Sequence, residues 1–356
     1  MLRQFRNWVL LSLLAVPVLA AAKTAEPVTG QLVTRTLVAR SLTQSRIGTD
    51  PNRSLIVYLP AGYDHSTQRY PVIYYLPNAL DGGFRVDFDK HDAKALFDRA
   101  INAGVIGKVI IVTADLNTPI GCSWYVNSPV TGQWEDFVLA ELVPYVDANF
   151  RTLANRNSRG ILGDRMGGYG AIRFGMHHPE VFGTVYALHP VGTGTGVQTM
   201  HSRPDWDKLA RAQAISDLRG DNFANIFLSI YQAALPDPDR PPLYVDLAAR
   251  RVNGQLVVDS ALTGRLLDNF ALASQIAQYA DNLKSLRGFK FDWARSDVNQ
   301  DHVYANQAFT HKLDEFGIPH EAEEYRGGWG ERVWGEDGRV YTDALPFFHQ
   351  HLASDL

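Results

Sequence analysis

The sequence predicts an α/β protein with a mostly parallel central sheet, and three observations support this fold class. From residue 71 to 190, apolar runs alternate with helical patterns in the order β-α-β-α-β-α-β. Two antiparallel strands are predicted before this region, and a glycine-rich strand-to-helix reversal lies within it at residues 159–179. Such alternation is typical of parallel strands joined by helices that cover both faces of a sheet.

The composition suits one large domain or two small ones. The chain has 356 residues, of which 46% are hydrophobic and 11% aromatic, so it can bury a large core. Its formal net charge of -4 gives no reason to expect nucleic acid or an anionic membrane surface as a partner. The single cysteine, Cys122, excludes an internal disulfide, so the core has to supply the stability.

Residues 1–22 have the three parts of a secretory signal peptide. Arg3 and Arg6 form a basic start, an apolar run covers residues 8–19, and three alanines follow at 20–22. The run is too short to span a bilayer comfortably, so we predict a cleaved signal, with a retained membrane anchor as the alternative. The mature protein is then expected to be exported, periplasmic or secreted, without a stable membrane span.

Before the reversal, two kinds of strand and two helices are predicted. The first two strands alternate or are β-branched and are separated by a Gly-Thr-Asp-Pro-Asn turn, which favours antiparallel pairing. The next two are continuous apolar runs, the pattern of strands buried on both faces. The strands cover residues 31–42, 54–60, 71–76 and 108–114, and the helices cover residues 92–103 and 134–150.

After the reversal, the alternation is interrupted once. Residues 191–285 are largely helical and proline-rich, and we interpret them as a cap-like insertion over the C-terminal edge of the sheet. One domain is expected to cover residues 30–354, with this insertion inside it. The remaining predictions are strands at 184–188, 289–294 and 321–325, a helix at 303–316 and a last helix after residue 338.

Residues 159–179 are read as a short buried strand, a tight turn and a helix, the pattern of a nucleophile elbow. In such an elbow, the residue between two close glycines lies on a strained strand-to-helix turn. The usual motif is G-x-S-x-G, whereas this chain has Gly163-Asp164-Arg165-Met166-Gly167. The sequence therefore predicts the scaffold of acyl transfer without its serine, and it predicts strained backbone geometry at Arg165.

Six segments in a fixed order carry a resemblance to a known family. They are residues 57–63, 70–76, 127–132 and 141–147, the elbow, and Gly-Ile-Pro-His at 317–320. In this order they resemble the putative-esterase family of α/β-hydrolases, which includes S-formylglutathione hydrolases, feruloyl esterases and mycolyltransferases. The resemblance covers residues 30–352. It implies an α/β-hydrolase fold with a mostly parallel central sheet, antiparallel N-terminal edge strands and a helical insertion.

The family implies a catalytic triad in the chain order serine, acid, histidine, with an oxyanion hole formed by two backbone amides. In this sequence the serine position falls on Arg165, the acid on Asp297 with Asp301 as the alternative, and the histidine on Trp329. Arginine is a permanent cation without a usable lone pair, and an indole cannot accept a proton. Serine-hydrolase chemistry is therefore not expected from these positions.

Two interpretations of Arg165 stay open. As a structural plug, its guanidinium pairs with Asp297 or Asp301, and the indole of Trp329 packs against it. As a ligand contact, it receives an anionic group. An arginine side chain is long enough to cover much of the gap that the missing histidine leaves, so we predict the plug.

The remaining candidate residues fall into two groups. His189, His302 and Asp301 are candidate replacements for the missing catalytic groups, although a histidine in a loop is more often a hydrogen-bonded bystander. No spacing of histidine, cysteine and acidic residues indicates a metal site, and no cofactor is predicted. The candidate ligand contacts lie in the loop after the first central strand and at the elbow, and they are Asn78, Ala79, Leu80, Asp164 and Met166.

Three functions are compatible with these residues. The preferred one is an exported esterase-family protein that has lost serine-hydrolase activity and binds a partner or a small ester-like or anionic ligand. The alternative is an active hydrolase that cleaves a carboxylic ester or related carbonyl substrate with non-standard residues. The third is an active esterase whose elbow serine was replaced by mutation, but Trp329 argues against it because such a protein would keep its histidine. The oligomeric state is left open.

Overall fold

An eight-stranded sheet lies at the centre of the computed structural model, which describes residues 28–79, 83–194 and 204–354. Its spatial order is β1-β2-β4-β3-β5-β6-β7-β8. Strand β2 pairs antiparallel with β1 and β4, and the other neighbours are parallel. The predicted sheet, mostly parallel with an antiparallel N-terminal edge, is confirmed. The strands are β1 (Gln31–Val38), β2 (Asn52–Leu59), β3 (Val72–Leu76), β4 (Ile110–Ala114), β5 (Arg159–Asp164), β6 (Thr184–Leu188), β7 (Gly288–Ala294) and β8 (Glu321–Tyr325).

Helices connect the strands. A π-helical segment at Phe137–Leu142 joins α3 to α4, and another at Val340–Ala344 leads into α11. None of the described helices is long and apolar enough to cross a membrane. The helices are α1 (Val86–Lys90), α2 (Ala93–Asn102), α3 (Trp134–Asp136), α4 (Val143–Asn149), α5 (Met166–His177), α6 (Trp206–Arg211), α7 (Asn222–Ala234), α8 (Ser260–Phe270), α9 (Leu272–Lys284), α10 (Gln300–Glu315) and α11 (Leu345–His351).

The sheet separates two apolar layers. Val72, Tyr74 and Leu76 of β3 belong to the layer that includes α4, α5 and α9, whereas Ile73 and Tyr75 belong to the layer that includes α2 and α11. Successive side chains of a strand point to opposite faces, and helices cover both faces here. All five residues of β3 are therefore buried, which explains its uninterrupted apolar sequence.

The first predicted strand and the predicted interval 191–285 differ from the structure. The first strand ends at Val38 instead of residue 42, because Arg40–Leu42 forms a 3-10 turn. The backbone N–H groups of Arg40 and Ser41 donate to the carboxylate of Glu141 at 2.8 Å each, a contact across about 100 residues that no local pattern reveals. The interval 191–285 also contains an unpredicted hairpin of two strands, Ala249–Val252 and Gln255–Val258.

The predicted domain limits are only partly covered by the described residues. The predicted signal peptide, residues 1–22, lies outside them. Within residues 204–284 the chain forms α6, α7, α8 and α9 as well as the hairpin. The helical character predicted for this interval is thus found, whereas its role as a cap-like insertion stays a prediction.

Aspartates cap the starts of four of these helices, α2, α6, α7 and α8. The carboxylate of Asp259 accepts the backbone N–H of Leu262 at 2.9 Å at the start of α8, and Asp205 and Asp221 cap α6 and α7 in the same way. The first N–H groups of a helix have no partner within the helix, so a side-chain oxygen at this position stabilises the helix start.

Removing the cap of α8 is expected to have a moderate effect. Asp259→Ala should lower the free energy of unfolding by about 1 kcal/mol, because the N–H of Leu262 loses its acceptor. Urea denaturation measures this difference. Asp268→Ala, an exposed position near the end of the same helix, is the control and should change stability by less than about 0.5 kcal/mol. Equal effects of the two variants would contradict the capping role.

Candidate active site

The predicted strand, turn and helix are confirmed around Arg165. Strand β5 ends at Asp164, α5 begins at Met166, and Arg165 lies between them with φ 55° and ψ -101°. A positive φ is sterically unfavourable for a side chain of this size, so the surrounding structure has to hold it. The Arg165 N–H donates to the carbonyl of Leu188 at 2.8 Å, and its own carbonyl accepts the N–H of Tyr169 at 3.1 Å.

Two glycines allow this turn to form. A Cβ added at Gly163 would overlap the backbone of Gly167, and a Cβ added at Gly167 would overlap the carbonyl of Leu76. The helix start therefore packs directly on the ends of β3 and β5. The glycine spacing is a requirement of backbone packing, and it persists although the residue between the glycines is no longer a serine.

The parallel register gathers the site at one edge of the sheet. Leu188 of β6 is paired with Asp164 of β5 and with Asp292 of β7. The residues that follow these positions therefore leave the sheet side by side, as expected at the carboxyl ends of parallel strands. Arg165, His189 and the loop that carries Asp297 come together in this way.

The Arg165 side chain is buried and held by its neighbours. Its Nη2 lies 2.8 Å from Oδ2 of Asp164, and its guanidinium lies 5.2 Å from the ring centroid of Trp329. The residue is only 8% exposed. A Cβ added at Gly330 would overlap the guanidinium, so the loop after β8 accommodates this arginine through a glycine. The predicted packing of Trp329 against Arg165 is confirmed.

The predicted ion pair between Arg165 and Asp297 is wrong. Oδ2 of Asp297 accepts hydrogen bonds from Nε2 of His189 at 2.9 Å and Nδ1 of His302 at 2.8 Å, and its Oδ1 accepts the N–H of Asn299 at 2.7 Å. These three donors occupy the carboxylate of Asp297. Arg165 instead forms an ion pair with Asp164, the residue before it in the chain. The pairing of Arg165 with Asp301, which lies in the first turn of α10, stays a prediction.

The hydrogen bonds to Asp297 also determine its ionisation. Burial raises the pKa of this carboxyl, but the hydrogen bonds from His189 and His302 outweigh burial and hold the pKa below its usual range. A carboxyl whose pKa is lower in the folded state stabilises the fold above its unfolded pKa of about 3.9, and this contribution is lost as the pH falls toward the folded pKa.

A pH titration of stability tests this ionisation. We expect Asp297→Asn to destabilise the protein more at about pH 7 than at about pH 3, because at the lower pH the unfolded wild-type chain protonates this carboxyl and the stabilisation by the folded carboxylate decreases. Urea unfolding of both proteins across this range measures the difference. The exposed Asp268→Asn is the control and should show no such trend. A constant destabilisation across the range would contradict the lowered pKa of Asp297.

Both ring nitrogens of His189 are engaged. Its Nδ1 accepts the backbone N–H of Ala294 at 3.0 Å, so the proton of the neutral ring lies on Nε2 and is donated to Asp297. This tautomer has no lone pair left for a substrate. His189, a candidate base by sequence, is therefore placed as a support for Asp297.

His302 differs from His189 in one respect. Its Nδ1 is the atom that contacts Asp297, which leaves Nε2 as the nitrogen with the lone pair in the neutral ring. The side chain is partly exposed, and its ring centroid lies 5.0 Å from that of Trp329. The ring of Trp329 also lies 5.2 Å from that of His189. Trp329 thus separates Arg165 from the histidines that hold Asp297.

His189, Asp297 and His302 also have potential metal-ligand atoms within 4.8 Å of one another, close enough to hold a metal ion. Two imidazoles and a carboxylate are common metal ligands. The amide of Ala294 argues against such a site, because Nε2 of His189 can bind a metal only when its proton moves to Nδ1, where it would face the amide N–H. We therefore assign the cluster to hydrogen bonding.

A cavity of about 580 Å³ opens beside Arg165. It contains two of the predicted contacts, Asp164 and Arg165, and several residues that were not predicted. The buried Tyr75 donates its hydroxyl to the lining residue Asp87 at 2.6 Å. Burial, together with the charges of Asp87 and Asp164, raises the pKa of Tyr75, whereas Arg165 opposes this shift. The lining residues are Val86, Asp87, Lys90, His91, Asp164, Arg165, Gly330, Arg332, Val333 and Trp334.

The loop after β3 provides a second polar element. Asn78 is only 2% exposed, and neither its amide nitrogen nor its amide oxygen has a hydrogen-bond partner among the described residues. The register of Leu76 with Gly163 places this loop beside the elbow and Met166. Ala79 follows and is partly buried, whereas Leu80 lies outside the described residues.

The comparisons with known proteins agree with this architecture. A family model described as Putative esterase matches residues 47–223. The chain belongs to the putative-esterase family. It is 29% identical over 290 residues to an esterase of Mycobacterium tuberculosis, covering 80% of this chain and 53% of that protein. The chain therefore spans about half the length of the mycobacterial relatives it matches.

Solved structures show the same fold. A ferulic acid esterase superposes with a TM-score of 0.62 at 21% identity, over 91% of this chain and 99% of that one. An S-formylglutathione hydrolase of Staphylococcus aureus gives a TM-score of 0.57 at 13% identity, over 90% and 99%. The predicted α/β-hydrolase fold is confirmed.

The three positions predicted as equivalents of the triad lie close together in the structure. Arg165 lies at the elbow, Asp297 in the loop after β7, and Trp329 in the loop after β8. His189 and His302 each contact both Asp297 and Trp329. The side chains of this site form an ion pair, an aromatic contact and two histidine–aspartate hydrogen bonds.

Sequence reasoning did not single out Tyr75, whose hydroxyl contacts Asp87, or the four lining residues Asp87, Lys90, Arg332 and Trp334. One signal pointed to the first of them. Tyr75 places a hydroxyl within a buried apolar run, and a buried tyrosine hydroxyl usually needs a partner. The others lie in loop or short-helix sequence without a motif, so their convergence depends on the fold.

Proposed function

We propose that this chain is an exported esterase-family protein that binds a small ester-like or anionic ligand and does not hydrolyse esters by serine chemistry. One observation carries the proposal. The residue at the nucleophile position is Arg165, whose guanidinium is buried in an ion pair with Asp164 and covered by Trp329. Neither side chain provides an atom that attacks an acyl carbon or accepts the proton of a nucleophile.

The size of the loss supports this proposal. In a well-studied serine protease, removal of the nucleophile or of the base alone lowers turnover by about six orders of magnitude. Both positions are substituted here. Binding does not depend on them, because the cavity, the start of α5 and the buried amide of Asn78 all remain. Polar groups of this kind orient ligands in otherwise apolar pockets.

A serine-directed probe tests the proposal. We expect pure wild-type protein to form no covalent adduct with a fluorophosphonate and to leave p-nitrophenyl acetate at its background rate, since position 165 has no hydroxyl. Intact-mass spectrometry and absorbance measure the two results. A stoichiometric mass increase that maps to a serine near the site would refute the proposal.

A second function, hydrolysis through His302, is favoured by the contact between His302 and Asp297. This pair has the geometry of a base with its orienting acid, and it leaves Nε2 as the basic nitrogen. If the wild type hydrolyses p-nitrophenyl acetate without a serine adduct, His302→Gln should abolish that activity. His311→Gln, an exposed position on the same helix, is the matched control.

Export is a separate part of the proposal and rests on the signal-like residues 1–22. Expression of the full chain in a bacterial host, followed by fractionation and N-terminal sequencing, tests it. We expect a periplasmic or secreted product that begins after the alanines at 20–22. A cytoplasmic product with its original N-terminus would refute export.

A further inference from the structure

The cavity beside Arg165 is lined by cations from three separate elements. Lys90 is the last residue of α1, Arg165 lies at the elbow, and Arg332 lies in the loop after β8. His91 lies next to Lys90 and lines the same cavity. Since these elements are far apart in sequence, the fold itself concentrates positive charge at this place.

The two acids of the cavity already have partners. Asp164 pairs with Arg165 at 2.8 Å, and Asp87 accepts the hydroxyl of Tyr75 at 2.6 Å. Lys90 and Arg332, in contrast, form no ion pair with any residue of the described ranges. Within the described residues, no carboxylate therefore lies at ion-pair distance from either of these two cationic side chains.

Glu323 is a carboxylate that interacts with the charge of Arg332, but it is already paired with another arginine. The charge of Arg332 helps to lower the pKa of Glu323, whereas the two carboxylate oxygens accept hydrogen bonds from Arg339 at 3.0 and 2.6 Å. The Arg332 side chain itself makes a long hydrogen bond of 3.4 Å to the carbonyl of Arg326. Its guanidinium therefore keeps most of its donors for a ligand.

The backbone fixes Arg332 in an unfavourable conformation. Its φ is 56°, in the left-handed region that non-glycine residues rarely adopt. Its carbonyl accepts the N–H of Arg339 at 2.7 Å, and the carbonyl of Val333 accepts the N–H of Val340 at 3.0 Å. Strain that is held in this way beside a cavity is typical of ligand-binding positions.

The rest of the lining is apolar, with one more donor. Val86 and Val333 contribute aliphatic surface, and Trp334 contributes an indole. The indole Nε1 is buried and has no acceptor among the described residues. A ligand that brings anionic oxygens pairs with the two cations, while its carbon skeleton contacts the apolar walls.

We infer that this cavity binds a small organic dianion, held between Lys90 and Arg332 with the Arg165–Asp164 pair at its floor. The inference rests on the proposed function and specifies the ligand class for it. Two negative charges match the two cations that form no ion pair within the described residues, and a volume of about 580 Å³ suits a small molecule with an apolar skeleton. The shared chemistry is a pair of anionic oxygen groups, as in a dicarboxylate or a phosphate monoester.

Calorimetric titration of the wild-type protein at low salt and about pH 8 tests this inference. The probes are phthalate and phenyl phosphate as dianions, benzoate as the monoanion and benzamide as the neutral analogue. We expect at least one dianion to bind about tenfold more tightly than benzoate, and benzamide to bind more weakly still. Phthalate and phenyl phosphate distinguish paired carboxylates from a phosphate.

Variants locate the site. Lys90→Gln and Arg332→Gln should each weaken binding of the preferred dianion about tenfold, and the double variant should lose the preference over benzoate. Arg326→Gln, exposed in the same loop but outside the cavity lining, is the matched control and should bind like wild type. Thermal unfolding checks that each variant is folded.

Each outcome has a defined meaning. Equal affinity for dianions and benzoate, no binding of either dianion, or unchanged affinity in the double variant would overturn the inference. None of these binding results would be evidence for serine chemistry, so the proposed absence of serine-dependent ester hydrolysis would not be affected. Conversely, serine-dependent turnover of p-nitrophenyl acetate would refute the proposed function. The preference of the cavity for dianions over benzoate is measured by a separate experiment and would not be affected.

Discussion

A chain that carries both Arg165→Ser and Trp329→His is expected to hydrolyse p-nitrophenyl acetate about 10³-fold faster than either single variant. The nucleophile and its base act as a unit, so neither is effective alone. The elbow already has the strained backbone that a serine nucleophile needs, with φ 55° at position 165. Trp329 lies between this position and the histidines of Asp297, where an imidazole would connect the two.

One further change should raise the rate again. Oδ2 of Asp297 already accepts hydrogen bonds from His189 and His302, so an imidazole introduced at position 329 has to compete for the carboxylate. We therefore expect His302→Ala to increase the activity of the double variant. A fluorophosphonate adduct that maps to position 165 would identify the new nucleophile.

The single variants are the controls for this experiment. Arg165→Ser alone should remain near the background rate, and activity equal to that of the double variant would show that His302 already serves as the base. Arg165→Ser also removes the partner of the buried Asp164, so thermal unfolding of every variant has to accompany the assay. Loss of folding in the double variant, without activity, would be seen directly in this measurement.

The second large effect concerns stability. Arg165→Met is expected to lower the free energy of unfolding by about 3 to 5 kcal/mol, because the carboxylate of Asp164 remains buried without the guanidinium. Asp164 is only 1% exposed, and its Oδ2 lies 2.8 Å from Nη2 of Arg165. Urea denaturation at about pH 7 measures the loss, and thermal unfolding gives an independent check.

A double-mutant cycle separates the ion pair from other contacts of the arginine. Asp164→Asn combined with Arg165→Met should lose less stability than the sum of the two single variants, because no stranded charge remains. Arg295→Met, which breaks the exposed ion pair with Glu324, is the control and should cost at most about 1 kcal/mol. Additive effects at positions 164 and 165 would contradict a buried, coupled pair.

The elements that sequence analysis located well are those whose pattern is local. The run at 71–76 is apolar at every position because β3 is buried on both faces, and the strand at 184–188 was predicted with the bounds it has in the structure. The early end of β1 was missed because the cause is Glu141, about 100 residues away. The hairpin within 191–285 was missed because its exposed strands show no clear alternation.

The candidate site divides in the same way. The elbow, the substituted nucleophile and the indole at position 329 were predicted from motifs, and the structure places them together. The donors to Asp297 were considered individually, but their common contact was not, since His189 is separated from Asp297 by more than 100 residues. The cavity with Lys90 and Arg332 was not predicted, because no motif connects a short helix after β3 to a loop after β8.

Glycine spacing was thus sufficient to locate the elbow, and residue chemistry was sufficient to predict that Arg165 is not a nucleophile. Gly163 and Gly167 are required by backbone contacts within a few residues, and the properties of an arginine or an indole do not depend on the fold. The sequence did not determine which carboxylate pairs with Arg165. Several carboxylates lay within reach of a long side chain, and only the packing of the loops after β7 and β8 showed that Asp297 accepts from two histidines and that Arg165 pairs with its neighbour Asp164.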